Sequence, residues 1–334
     1  MLLLYHKILH LSNYLFAGLI ILDNPLRTRY DYFNEMKEGI LMQKRYLIIN
    51  ADDFGMCRSA NEAIFDLFES GSIVSSTIMM PCPEAKAAVQ FAVDHPQYAI
   101  GVHLTMTNEW EERWPWGPLT DGKTIRNPEG RMWPENEDFE AHCDYDEVIA
   151  EVRAQIELAE KMGMHPTQID NHMGSLYGMN GKYLMLPKVF AVCRDMKYPF
   201  RMCTTPKDEF CPDGVSLKLY RFFCRFCGVL SKLYNVPTPD YLILTDQVKS
   251  LKNLETYEQF RDAFLDFHGK IPVGITETFI HPALPTEELK SITGTWKRRS
   301  WEYELMKDPV THQYFKDKGI ELISYRELVQ MKGR

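Results

Sequence analysis

Five side chains in this 334-residue chain have the types and the placement to do hydrolytic chemistry: Asp52, Asp53, His103, His172 and His281. Two carboxylates and two or three imidazoles converging on one point form a metal-site composition, suited to Zn²⁺, Fe²⁺, Co²⁺ or Mn²⁺ and less often to Mg²⁺. A cation with an open coordination position acidifies water and polarises a carbonyl. In an extended segment adjacent Asp side chains point apart, so one of the pair is expected on the metal and its neighbour near the attacking water as general base. Amide hydrolysis also needs a proton for the departing nitrogen, and a separate His supplies one near neutral pH.

What makes convergence credible is where each residue falls. Tyr46–Ile49 is a short apolar run ending at Asn50-Ala-Asp-Asp-Phe-Gly55, the pattern of a strand buried on both faces. His103 follows Ala99–Val102, His172 follows Pro166–Ile169, and His281 follows Ile275–Ile280. Helical spacing separates these runs: Ser59–Glu69, with Ser59 and Glu62 spelling a capping box, then Glu84–Asp94, Asp144–Met162, Leu186–Met196 and a closing Tyr325–Met331. Further strands are expected at 73–80, 199–201 and 319–324. Strands alternating with helices pair in parallel, and their C-terminal ends then share one rim of a sheet or barrel. An α/β fold with its reactive residues on that rim is the expectation.

The remaining composition narrows the function. A net charge of −8 and a pI near 5.7 argue against nucleic acid as a partner. Eight scattered cysteines read as reduced thiols in a cytoplasmic enzyme, with Cys224 and Cys227 on a buried helix face rather than in a zinc knuckle. The apolar run Tyr14–Leu22 is too short for a stable membrane span. Residues 1–43 read as an N-terminal extension, disordered or arising from a start assigned too early, because Met42 directly precedes QKRYLIIN; residues 44–334 form the enzyme domain. Asp53-Phe54-Gly55 spells a kinase DFG, but no Gly-rich loop, lysine strand or H-R-D loop precedes it. Four of the six tryptophans (Trp110, Trp114, Trp116, Trp133) lie between Thr105 and Trp133, a loop directly after the His103 strand; Trp114 and Trp116 are expected to contact a sugar there.

The segments YLIINADDFGMCRSANEAI with SSTIMM, AIGVHL, PTQIDNH and TETFIHP, in this order, resemble the motifs of the YdjC-like carbohydrate deacetylases, a family that includes chitooligosaccharide deacetylases. The resemblance runs from about Lys44 to the C-terminus. It implies a distorted (β/α) barrel, one divalent metal ion (Mg or Zn) held by Asp53, His103 and His172, Asp52 as base and His281 as acid. Arg201 sits where the family places an arginine that orients the base or the substrate, and Glu277 is a candidate supporting group. The histidine-rich run that often follows this family's Asp-Ser-His element is here Met173-Gly174. The implied reaction is removal of acetyl from an N-acetylated carbohydrate, with the homodimer question left open. A phosphoesterase on the same rim and a non-catalytic sugar-binding protein are the rival readings.

Overall fold

A computed structural model describes residues 44–110, 112–178 and 184–333, so the expectation for residues 1–43 lies outside the described residues. In chain order the strands are β1 (Arg45–Phe54), β2 (Ser75–Ile78), β3 (Ala99–Leu104), β4 (Ile169–Asn171), β5 (Tyr241–Ile243), β6 (Gly274–Ile280) and β7 (Ile320–Leu322). The helices are α1 (Arg58–Glu69), α2 (Ala85–Asp94), α3 (Asn136–His142), α4 (Tyr145–Lys161), α5 (Leu186–Met196), α6 (Leu217–Tyr234), α7 (Tyr257–His268), α8 (Glu287–Ile292), α9 (Trp296–Lys307), α10 (Pro309–Asp317) and α11 (Tyr325–Lys332).

The strands form a 7-stranded sheet in the order β4-β3-β2-β1-β6-β5, and every pairing is parallel. β6 accompanies residues 45–51 of β1, while β2 and β7 divide the other edge, β2 beside its C-terminal half and β7 beside its start. The sheet curls into a distorted (β/α) barrel. Its irregular closure runs through residues 199–205: Phe200 forms a single bridge to Ile169, its N–H donates to Pro237, and the amides of Thr204 and Thr205 donate to Asp240. The strand expected at 199–201 is therefore one bridge, since this segment divides its hydrogen bonds between β4 and the lead-in to β5.

Side-chain alternation along β1 assigns its two faces. Leu47, Ile49 and Ala51 enter the large core under the helices, whereas Tyr46 and Ile48 pack with Ile275, Ile323 and Tyr325. The second face turns polar toward the rim, where Asn50 and Asp52 are buried among Ser75, Thr77 and Gln168.

Several helix boundaries follow local chemistry. Asp144 caps α4 by accepting from the amides of Asp146 and Glu147, and Ser324 and Glu327 form a reciprocal capping box on α11. The box expected at Ser59 and Glu62 is absent: Cys57 is the N-cap of α1 and has no side-chain cap bond. Ser59 lies within the helix, its Oγ donating to Glu288 at 2.6 Å and meeting Thr286, while Glu62 pairs with Arg58 at 2.7 Å. Tertiary partners from the α8 region took the hydroxyl that local sequence offered as a cap. Cys224 and Cys227 are both buried on α6.

Candidate metal and catalytic site

The β1–β6 register sets Ala51 beside Ile280, so Asp52 and His281 leave adjacent strands at one level. The β3–β4 register sets His103 beside Asp170, and His172 follows at the end of β4. Asp53 needs a backbone device. Regular alternation would turn it away from Asp52, but Asp53 adopts a left-handed φ of 62° and the β1–β2 register shifts between Ala51 and Phe54. A left-handed non-glycine residue at a bulge is a strained feature typical of functional strand ends. Here it brings both carboxylates toward one imidazole: His103 Nε2 lies 3.6 Å from Asp53 Oδ1 and 3.9 Å from Asp52 Oδ2. Gly55 completes the turn at φ 87°, where a Cβ would come within 2.9 Å of the Ala85 Cα.

Asp53, His103 and His172 present ligand atoms within 4.8 Å of one another. The nitrogen that each imidazole turns away from Asp53 is engaged by a carboxylate. His103 Nδ1 donates to Asp170 Oδ1 at 2.7 Å, and His172 Nε2 lies 2.9 Å from Glu109 Oε2. That leaves His103 Nε2 and His172 Nδ1, 3.4 Å from Asp53 Oδ1, facing the centre. Asp53 Oδ1 itself is buried with no hydrogen-bond partner among the described residues, while Arg299 Nη2 holds Oδ2 at 2.8 Å. A buried carboxylate oxygen left bare between two oriented imidazoles fits a divalent cation.

The electrostatics agree. Burial opposes a charged His172, yet Glu109 and Asp53 outweigh it and the imidazole is pushed up to about 10. Burial likewise raises Asp53, but Arg299, His281 and His172 hold it well below the ordinary carboxylate range. The pocket stabilises positive charge beside an ionised Asp53.

Asp52 is set apart from this cluster by a clamp. Arg201 Nη1 and Nη2 donate to its two oxygens at 2.7 Å each, Asn50 donates to Oδ1 at 2.7 Å, and Arg201 Nε reaches Glu277 at 2.7 Å. Tyr325 closes the chain with a short hydrogen bond to Glu277. Burial raises the Asp52 carboxyl, but the charges of Arg201 and His103 dominate and keep it below its usual value. His281 is partly exposed; its Nδ1 lies 4.0 Å from carboxylate oxygens of Asp246 and Glu302, and its backbone amide donates to Glu302 at 2.7 Å.

Asp52, Asp53, His103, His172, Arg201 and His281 all line one cavity of about 560 Å³. Trp114 and Trp116 are placed elsewhere. Their indole N–H groups donate to Met56 O and Thr107 O, and the rings pack with Met56, Cys57 and Met79. The tryptophan that lines the cavity is Trp110. Sequence reasoning also gave no role to Glu109, Asp170 or Arg299. Asp170 carries a sequence signal, because residues two apart on a strand share a face and it stands two before His172. Arg299 lies in α9, far from every motif, and carried no sequence signal.

The description of a YdjC-like protein matches residues 46–317, and the chain belongs to that family. It is 26% identical over 288 residues to a carbohydrate deacetylase of Geobacillus stearothermophilus, covering 86% of this chain and 99% of that one. It is 35% identical over 264 residues to one of Halalkalibacterium halodurans, covering 78% and 94%. A crystal structure from Enterococcus faecalis V583, named for cellobiose-phosphate cleavage, matches with a TM-score of 0.66 at 25% identity, covering 85% of this chain and 99% of that one.

Proposed function

We propose that this protein is a metal-dependent deacetylase that converts an N-acetylated carbohydrate to acetate and a free amino sugar. The observation that carries the reading is the bare Asp53 Oδ1 between two oriented imidazoles, in the same cavity as a clamped Asp52 and His281. Its curated relatives named carbohydrate deacetylase support the substrate class.

Asp53, His103 and His172 would hold the cation, which when bound polarises the acyl oxygen and acidifies water. Asp52 acts as the base. Arg201 and Asn50 fix its carboxylate, so it meets a water in the cavity without reorganising. His281, from the neighbouring strand end, gives a proton to the departing nitrogen, with carboxylate oxygens of Asp246 and Glu302 each 4.0 Å from its Nδ1. Trp110 supplies an aromatic wall for a sugar ring. The eight free cysteines support a cytoplasmic setting, and among the described residues no helix is long and apolar enough to cross a membrane.

Incubating the zinc- or magnesium-loaded protein with N-acetylglucosamine oligomers should release acetate, and Asp52→Asn should abolish that release. Hydrolysis of phosphate esters without acetate release would instead favour the phosphoesterase, and sugar binding without turnover the non-catalytic rival.

A further inference from the structure

The deacetylase reading leaves one buried cation in the cavity without a role. Arg299 is 7% exposed, enters from α9 and lines the cavity. Its guanidinium is fixed on two sides: Nη2 donates to Asp53 Oδ2 at 2.8 Å, and its centre lies 5.4 Å from the Trp110 ring. Its Nη1 is buried and has no hydrogen-bond partner among the described residues. An arginine fork with one arm engaged and the other idle is costly in a buried place, since an unmet charged donor forfeits its hydration. Such groups mark the positions where a ligand completes the bonding.

We infer that Arg299 is a catalytic residue of the deacetylation, with two functions that follow from its two arms. The engaged arm keeps Asp53 Oδ2 occupied, so that Asp53 faces the two imidazoles with Oδ1 alone. The idle Nη1 donates a hydrogen bond to the acyl oxygen as water adds to the acyl carbon and the carbonyl π pair moves onto that oxygen. Arg299 keeps its proton throughout; the oxygen lone pair reforms the C=O π bond as the C–N pair leaves on the nitrogen, which takes its proton from His281. A fixed donor that strengthens as charge develops acts on the rate constant more than on substrate affinity. The inference rests on the deacetylase reading for its substrate and on the Arg299–Asp53 geometry for its site.

The test uses the full-length, zinc-saturated protein with metal content measured for each variant. Arg299→Ala should lower kcat for acetate release on the order of 10²- to 10³-fold, with KM changed only a few-fold. Added guanidinium ion at tens of millimolar should restore about tenfold or more to Arg299→Ala and nothing to Asp52→Asn. A readout independent of turnover is calorimetric binding of methylphosphonate, a tetrahedral anion, which should weaken at least about tenfold in Arg299→Gln, the near-isosteric variant chosen in case the Ala protein fails to fold. Arg299→Ala turning over within threefold of wild type, or methylphosphonate binding equally to Arg299→Gln and wild type, would overturn the inference. Wild-type protein that releases no acetate would instead overturn the deacetylase reading, so the two failures are distinct.

Discussion

Arg201 holds both oxygens of Asp52 at 2.7 Å, one with each η nitrogen, although the two residues are 149 positions apart. The same guanidinium also reaches Asp170 and Glu277 at 2.7 Å, so one buried cation is shared by three carboxyl groups, and burial pushes Glu277 up to about 7. Arg201→Met would leave Asp52, Asp170 and Glu277 buried without that charge. Removing one partner from a buried ion network costs about 3–5 kcal/mol. Denaturant unfolding should register a loss of that order, together with loss of acetate release. A variant within about 1 kcal/mol of wild type would show that the clamp is not what holds the carboxylates in place.

Asp52 and Asp53 are neighbours in sequence with separable roles in space, and substitution should divide them. Asp52→Asn should still bind one divalent ion per chain and lose at least about 10²-fold in kcat. Asp53→Asn should fail to retain the ion. Plasma mass spectrometry of the two purified variants reads the difference directly; loss of metal in Asp52→Asn would contradict the division.

Glu109 orients His172 through Nε2 at 2.9 Å, leaving Nδ1 toward Asp53. Carboxylates behind ligating imidazoles typically contribute 10–100-fold to metal affinity. Glu109→Gln should weaken zinc binding by about that factor in a competition titration with a chromogenic chelator. An unchanged affinity would mean that His172 is oriented by its own strand end.

The contrast between Trp110 and its neighbours shows what the sequence could and could not reveal. Alternation and apolar runs were enough to place Asp52, Asp53, His103, His172 and His281 on one rim, because strand ends are encoded locally. The side chains that complete the site depend on long-range packing. Arg299 reaches Asp53 across 246 positions, and nothing in WKRRSW distinguishes it from Arg298. The left-handed turn at Asp53 was equally hidden, since Asp is only a weak signal for positive φ. Four tryptophans in one loop point to sugar contact, but Trp114 and Trp116 are held by backbone carbonyls and by a small core shared with Met56, Cys57 and Met79. Trp110→Ala should therefore raise KM for an N-acetylated oligosaccharide about tenfold, as loss of one aromatic face costs on the order of 1.5 kcal/mol. Trp116→Phe should lower thermal stability with KM unchanged. The reverse pattern would return the sugar contact to Trp116.

His268 offers a test of pH-dependent stability away from the metal cluster. It is fully buried on α7, with Nδ1–H donating to Phe264 O at 2.8 Å and Nε2 accepting from Thr278 Oγ1 at 3.0 Å. Both ring nitrogens are thus satisfied in the neutral form, and burial disfavours the charged one. Burial is the main cause that lowers its pKa to about 4 from the ordinary 6.5, and the Arg298 charge adds to it, against the bond to Phe264. Because the folded value is depressed, the unfolded chain binds the proton first as pH falls. The contribution is complete above pH 6.5, declines between 6.5 and about 4, and is gone below that. The full shift corresponds to roughly 3 kcal/mol. Wild-type stability should fall across this window more steeply than that of His268→Gln, whose side chain does not titrate. The difference between the two urea-unfolding free energies should shrink by about that amount from pH 7 to pH 4. Parallel pH profiles for the two proteins would mean that His268 is protonated in the folded state and that the neutral hydrogen-bond assignment is wrong.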